Sequence, residues 1–255
     1  MKTSFFSHSD IFWNLVSKNL KAKYAGSFLG MMWAFINPLL LAMIISFVFT
    51  NILKMPAGDF YLFVLSGILP WTFLSGSLQE ASLSIPANAA LLKQFPLPRA
   101  IIPLSVVMAN FILLVFGLFA VMPLFLIAHP GMIFALPLLA LALVMFFIFT
   151  LGLSLLLSSL CVQFRDISHI LNTFLMFWLW LTPVFYTIDI VPQEYRAMVD
   201  LNPIQPFLTL FRGGLLKGAS WSFVELMICV GSGLLVVTAG AYLFIHKEKS
   251  FLQRI

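Results

Sequence analysis

Two runs, residues 101–128 and 132–161, contain no Asp, Glu, Lys or Arg, and only the stretch His-Pro-Gly separates them. A helix needs about 20 predominantly apolar residues to cover the hydrocarbon core of a bilayer. Inside that core every backbone polar group must be paired within the segment, which leaves helices as the economical solution. The two runs therefore read as a transmembrane helical hairpin closed at Pro130 and Gly131. Four further segments meet or approach the same length: 33–53, 61–79, 168–186 and 224–245. The 61–79 segment carries Ser66, Thr72, Ser75, Ser77 and Gln79, a polarity suited to facing other helices or a water-filled path. The expected fold is all-α and membrane-integral, one domain over residues 1–255 with six transmembrane helices. Composition agrees. At 62% apolar and 9% charged, the chain lacks the polar surface that a water-soluble globule of this size requires.

Charge placement sets the expected orientation, because Lys and Arg near span ends are retained in the cytoplasm. Lys2, Lys18, Lys21, Lys23, Lys93, Arg99, Arg165, Lys247, Lys249 and Arg254 fall on one side, against Lys54, Arg196, Arg212 and Lys217 on the other. This predicts a multi-pass protein with both termini in the cytoplasm and residues 187–223 on the outer side. No short apolar core with a small-residue cleavage site follows MKTSFFSHSD, so no removable signal peptide is expected. Within residues 1–32, Ile11, Phe12, Leu15, Val16, Leu20 and Tyr24 recur at helical steps opposite Asn14, Ser17, Lys18 and Lys21. That pattern predicts an amphipathic helix on the inner membrane surface. Two roles stay open for it: a simple anchor drawn to anionic lipid, or a portal at which Lys21, Lys23 and Tyr24 handle an anionic lipid head group.

Catalytic chemistry is missing from the pattern. His8, His129, His169 and His246 lie at span ends or in tails, with no metal-ligand spacing, and no nucleophile–base pair stands out. Cys161 and Cys229 fall at opposite membrane depths, which suggests neither a disulfide nor a metal site. Asn110 and Asn172 are lone amides within spans, read as glue between helices. Neither GSFLG nor RGGLLKG supplies the Lys-Ser/Thr of a phosphate-binding loop, and no buried carboxylate relay marks a proton-driven carrier. Asn and Ser could still serve sodium coupling. If the chain transports, its power is expected to come from a partner, with no catalytic site, cofactor or metal of its own; nothing points to nucleic acid.

A docking element is legible between the second and third spans. In SIPANAALLKQFPLPRAIIPLS, Pro86 suits the first turn of a helix and Pro96 and Pro98 its end, which predicts a short helix over 87–95 within the segment 86–99. The outer connection 187–223 is too apolar for an aqueous loop and too broken to span. It predicts two short re-entrant or interfacial helices, around Pro192–Leu201 and Pro206–Leu216, with breaks at Asn202–Pro203 and Gly213–Gly214. Such a hairpin at the outer mouth reads as a gate built on Asn202, Pro203, Arg212 and Glu225, with Arg212 expected to pair with Glu225 and the alternative that it meets substrate phosphate. In FLMFWLWLTPVFY, Phe174, Phe177, Trp178, Leu181 and Phe185 share one face of a continuous helix, and Tyr24, Trp33 and Trp71 lie near the membrane surfaces. Such rings suit stacking on sugars, although aromatic belts arise without any substrate.

Several stretches together carry a family likeness. LKAKYAGSFLGMMWAFINPLL, FPLPRAIIPLS, FRD, LTPVFY, VP and LNPIQPFLTLFRGGLL occur in order over nearly the whole chain. In that order the chain resembles the membrane subunits of ATP-binding-cassette exporters of polysaccharides, the O-antigen and teichoic-acid type. Lys23 departs from the Arg that commonly precedes Tyr there, with loss of the guanidinium fork. The resemblance implies a homodimer joined to two copies of a separate cytoplasmic ATPase, which holds ATP and magnesium, and a lipid-linked polysaccharide as substrate. It further implies ATPase coupling through Asn88, Leu91, Leu92, Lys93, Phe95, Pro96 and Arg99. Arg165 and Asp166 either assist that contact or form a local ion pair at the inner face. An exporter of small amphiphiles with the same plan is the alternative, and an intramembrane lipid-modifying enzyme the alternative from another class.

Overall fold

A computed structural model describes residues 5–54, 58–94, 97–164, 166–216 and 219–254. The described residues form α-helices with short 3-10 and π turns and no strand: α1 (Phe5–Lys23), α2 (Trp33–Phe47), α3 (Phe60–Ala87), α4 (Ala89–Gln94), α5 (Ile101–Ala128), α6 (Leu136–Gln163), α7 (Ile167–Leu181), α8 (Gln193–Asp200), α9 (Gln205–Leu215) and α10 (Phe223–Arg254). Five helical segments have the length and apolarity to cross a membrane: Gly30–Ile52, Phe60–Ala87, Ile101–Ala128, Pro130–Gln163 and Phe223–Glu248. The segment expected as a sixth helix over 168–186 is shorter, since α7 has 15 residues. Thr182 is extended, as the residue before a proline tends to be, and the helix ends there.

The most polar candidate span turns out to be the centre of the bundle. In α3, 72% of the most apolar stretch is buried inside the protein, against 11% to 28% in the other four. Five of its hydroxyls fold back on their own helix, while Ser77 Oγ is buried with no partner among the described residues: Ser66 donates to the Phe63 carbonyl, Thr72 to Leu69, Ser75 to Trp71, Ser82 to Gln79 and Ser84 to Ala81. Each of the five is thus satisfied without leaving the helix, so small polar residues can sit between helices at little cost. Phe73 of α3 packs on Phe111 of α5 and Phe146 of α6, and Phe146 and Phe149 pack on Phe207 of α9. In lipid, where apolar contact alone gives no preference for protein, such ring packing holds helices together.

Close approach decides the α6–α10 pair. A Cβ built on Gly240 would collide with the Gly152 carbonyl, and one on Gly152 with the Val237 backbone. The helices touch backbone to backbone there, the usual use of small residues in membrane packing.

Three expected boundaries move. The second span does not stop at 79 but runs to Ala87, and Pro86 closes α3 instead of opening the next helix. Asn88 makes the break: its N–H bonds the Ser84 and Ile85 carbonyls and its Nδ2 donates to Ser84 O at 2.8 Å. The last helix extends past 245 to Arg254. Lastly, α8 and α9 are separated at Asn202–Pro203 as expected, but α9 runs unbroken through Gly213 and Gly214. Those glycines serve contact and not a break, since a Cβ on Gly213 would press on Trp221 and one on Gly214 on Leu139 of α6.

Candidate functional site

At one end of the bundle α1 is tied to three neighbours. Leu15 and Val16 are buried, and Leu15 shares a cluster with Ile85, Leu92, Ile102, Leu155, Val162, Phe244 and Phe251. Lys18 Nζ donates to Asn88 Oδ1 at 2.9 Å, where α3 gives way to α4, and Asn19 Nδ2 donates to Ser105 Oγ of α5 at 3.1 Å. Lys23 Nζ lies 2.7 Å from Glu80 Oε1 and donates to Asn110 Oδ1, while Asn110 Nδ2 donates to Glu80 Oε2 at 3.1 Å. The helix expected on the membrane surface is thus also bolted to α3 and α5, because its polar face finds fixed partners as well as solvent. Asn110 acts as glue between helices. Lys21 is exposed.

Beside this node lies a cavity of about 200 Å³ lined by Lys23, Tyr24, Trp33, Asn37, Thr72 and Asn110 among others. Burial, and then the charge of Glu80, raise the Tyr24 phenol above its ordinary value, so it remains a neutral O–H donor at neutral pH. Ligand pockets commonly run from about 300 Å³ upward. This one suits a small polar group and not a sugar chain.

The short α4 next to it has two faces. Leu92 is buried in the cluster with Leu15, and Leu91 packs partly against it, while Ala90, Lys93 and Gln94 are exposed. Arg99 is engaged by the last helix: its guanidinium donates to the Glu248 carbonyl of α10, and its backbone N–H to Glu248 Oε1 at 3.2 Å. Of the remaining residues expected to couple, Phe95, Pro96 and Arg165 lie outside the described residues. Asp166 is exposed at the N-terminal boundary of α7.

The aromatic stripe expected on one helix is divided by the early end of α7. Phe174 and Phe177 are exposed. Trp178 turns inward, packing edge-on against Trp71 and donating from Nε1 to Asn202 Oδ1 at 3.0 Å. Phe185 lies beyond the helix, is buried, and packs on Trp180. It therefore does not continue the face of Phe174 and Phe177. Trp71 is buried midway along α3, whereas Trp33 lines the cavity with Tyr24.

At the other end, Asn202 is a buried knot. Its Oδ1 accepts from the Trp178 indole and from the Ile204 N–H at 3.1 Å, and its Nδ2 donates to Thr182 Oγ1 at 2.8 Å. This holds the turn before Pro203 against the end of α7. Arg212 does not pair with Glu225. Its Nη2 donates to the carbonyls of Pro183 at 2.7 Å and Val184 at 3.2 Å, and its guanidinium sits 3.8 Å over the Phe63 ring. The carbonyls left open where α7 stops supply the acceptors, and Phe63 supplies a face for the cation. Glu225 instead accepts from the Ser222 N–H at 2.7 Å while Ser222 Oγ accepts from the Glu225 N–H at 3.2 Å, a capping box on α10.

Glu80 was missed in the sequence because the second span was ended one residue before it. A signal was present: it is the single acidic residue between Asp59 and Asp166. Thr72, which faces the same cavity, belongs to the polarity that set the second span apart in the sequence, and Asn37 lies in the Asn-Pro-Leu stretch that carries the family likeness.

The profile of the ABC-2 type transporter family matches residues 11–216. The chain belongs to this family. As an ABC-2 transporter chain it is a multi-pass membrane protein. It is 29% identical over 229 residues to an O-antigen export system permease protein of Klebsiella pneumoniae, covering 88% of this chain and 87% of the relative. The O-antigen export system permease protein of Myxococcus xanthus is 28% identical over 244 residues, 95% of this chain and 94% of the relative. A capsule polysaccharide export inner-membrane protein of Neisseria meningitidis is 25% identical over 210 residues, 78% and 77% of the two chains. The matched region takes in the Lys23 node, α4, the α7 face and the α8–α9 hairpin.

Proposed function

We propose that this chain is the channel-forming permease of an exporter that carries a lipid-linked polysaccharide, O-antigen-like or related, across the inner membrane. The observation that carries the proposal is the match to the Myxococcus xanthus O-antigen export permease over 95% of this chain. Two copies form the channel, and two copies of a separate ATPase, holding ATP and magnesium, drive it from the cytoplasm. Both termini, α1 and α4 face the cytoplasm, and the α8–α9 hairpin re-enters the membrane from the outer side. Helix α7 with its continuation through Tyr186 makes the sixth crossing.

In this reading the ATPase bears on the exposed side of α4, whose other side is keyed through Leu92 and Asn88 to α1 and α3. Phe174 and Phe177 offer rings to the moving glycan. Lys21, Lys23 and Tyr24 admit the lipid head group at the inner face. Asn202 and Arg212 hold the outer hairpin in register with α7, a gate whose movement shifts the end of that helix. The test is reconstitution in proteoliposomes of this chain with an ATPase encoded beside it. Lipid-linked glycan should cross only with both chains and ATP; vectorial movement by this chain alone, without an ion gradient, refutes the proposal.

A further inference from the structure

The Lys23–Glu80–Asn110 node does more than brace α1. The cavity beside it has a distinctive lining: the Lys23 ammonium at its wall, with the Tyr24 phenol and the Asn37 amide, which have no hydrogen-bond partner among the described residues. A cation with two neutral donors around a small cavity is a set built to receive oxyanions. The apolar side is provided by Trp33, Pro38, Leu69, Leu113 and Leu114. Yet Lys23 is already paired to Glu80 at 2.7 Å, and the pair is only partly shielded, with side-chain exposures of 21% and 42%. A half-exposed ion pair is worth little net and exchanges readily. A phosphate carrying more charge than one carboxylate competes well for the same ammonium.

We propose that Glu80 is the resident counter-ion of a lipid-phosphate site and that the diphosphate of an incoming lipid carrier displaces it from Lys23. The inference rests on the lipid-linked reading above and adds how the site is guarded. With no substrate, Glu80 neutralises Lys23 and ties the end of α1 to α3. With substrate, the ammonium turns to the diphosphate, the Tyr24 and Asn37 donors complete the contact, and Glu80 is freed toward solvent, where it is already 42% exposed. Its release removes the ion pair between α1 and α3 seven residues before Ala87, where α3 ends beside α4, and leaves Lys18 on Asn88 and Leu15 on Ile85 as the remaining ties. Substrate presence is thereby felt at the segment proposed to meet the ATPase. The second cavity, on the other side of Lys23 and lined by Glu80, Ser84, Ala87 and Asn88, gives the freed carboxylate somewhere to go.

The experiment measures binding of a polyprenyl diphosphate, the matching polyprenol and inorganic pyrophosphate to the full chain in nanodiscs of neutral lipid. Wild type should prefer the diphosphate to the polyprenol and to pyrophosphate. Glu80→Gln removes the competitor and should tighten diphosphate binding by about three- to tenfold, with polyprenol binding unchanged. The exchange Lys23→Glu with Glu80→Lys restores an ion pair, so it protects the fold, and it should abolish the preference for diphosphate. Equal or weaker diphosphate binding in a folded Glu80→Gln chain overturns the counter-ion role while leaving the portal reading standing. Loss of preference for diphosphate over polyprenol in the wild type overturns the portal reading itself, and pyrophosphate binding as tightly as the lipid form overturns the assignment to a lipid carrier. If Glu80→Gln does not fold, the charge exchange alone decides: retained preference for diphosphate refutes the proposal.

Discussion

Replacing Asn202 by Ala tests whether the outer hairpin is held to α7 by one buried amide. The change removes one acceptor for two N–H donors, the Trp178 indole and the Ile204 backbone, and one donor to Thr182. Asn202 is 4% exposed, so water does not readily replace it. Orphaning a buried donor costs about 1–3 kcal/mol, which puts two near 2–6 kcal/mol. Hydrogen bonds measured within membrane proteins average only about 0.6 kcal/mol, with a maximum near 1.7, because the unfolded reference also finds partners. That lowers the expectation to about 1–3 kcal/mol for Asn202→Ala. Thr182→Val should cost less, since it removes only the acceptor for Nδ2 and the hydroxyl's bond to the Trp178 carbonyl. The assay is reversible unfolding in mixed micelles with Trp178→Phe as the second arm of a double-mutant cycle. A coupling of about 0.6–1.7 kcal/mol between Asn202 and Trp178 is expected. Independent effects, with coupling indistinguishable from zero, would show that the indole bond does not hold the hairpin.

Gly240→Ala should destabilise the fold by about 1–3 kcal/mol or more, because its Cβ meets the Gly152 carbonyl and the helix backbones must part; an unchanged melting temperature in detergent contradicts the close approach. Ser222→Ala removes half of the capping box on α10 and should cost about 0.5–2 kcal/mol, seen as faster hydrogen exchange confined to the first turns of that helix. Bulky residues at the exposed Ala90 and Gln94 of α4 should reduce pull-down of the partner ATPase while membrane insertion is unaltered; unchanged association places the docking surface elsewhere.

Apolar run lengths located the helices because hydrocarbon imposes a minimum span whatever the neighbours are. The α5–α6 hairpin and the α8–α9 pair were legible for that reason, with Pro130, Pro203 and Pro206 as punctuation. Chain-local rules misled where a residue answers to a partner distant in sequence. Pro86 looked like a helix start, yet Asn88 sets the break by bonding back to Ser84. Gly213–Gly214 looked like a break, yet α9 continues through them, with Trp221 close on Gly213 and Leu139 close on Gly214. Arg212 and Glu225 looked complementary in charge, and each found nearer polar groups exposed by a helix end.

Hydrophobic content and its spacing are properties of the chain itself, and they decided that this protein is helical and lies in a membrane. Which polar residues meet was decided only by packing: Lys23, Glu80 and Asn110 stand on three helices, 57 and 30 residues apart in sequence, and join only when α1 docks across α3 and α5. In a bilayer an unmatched polar group is costly, so partners from distant stretches of chain are brought together by the fold, and no local pattern announces that meeting.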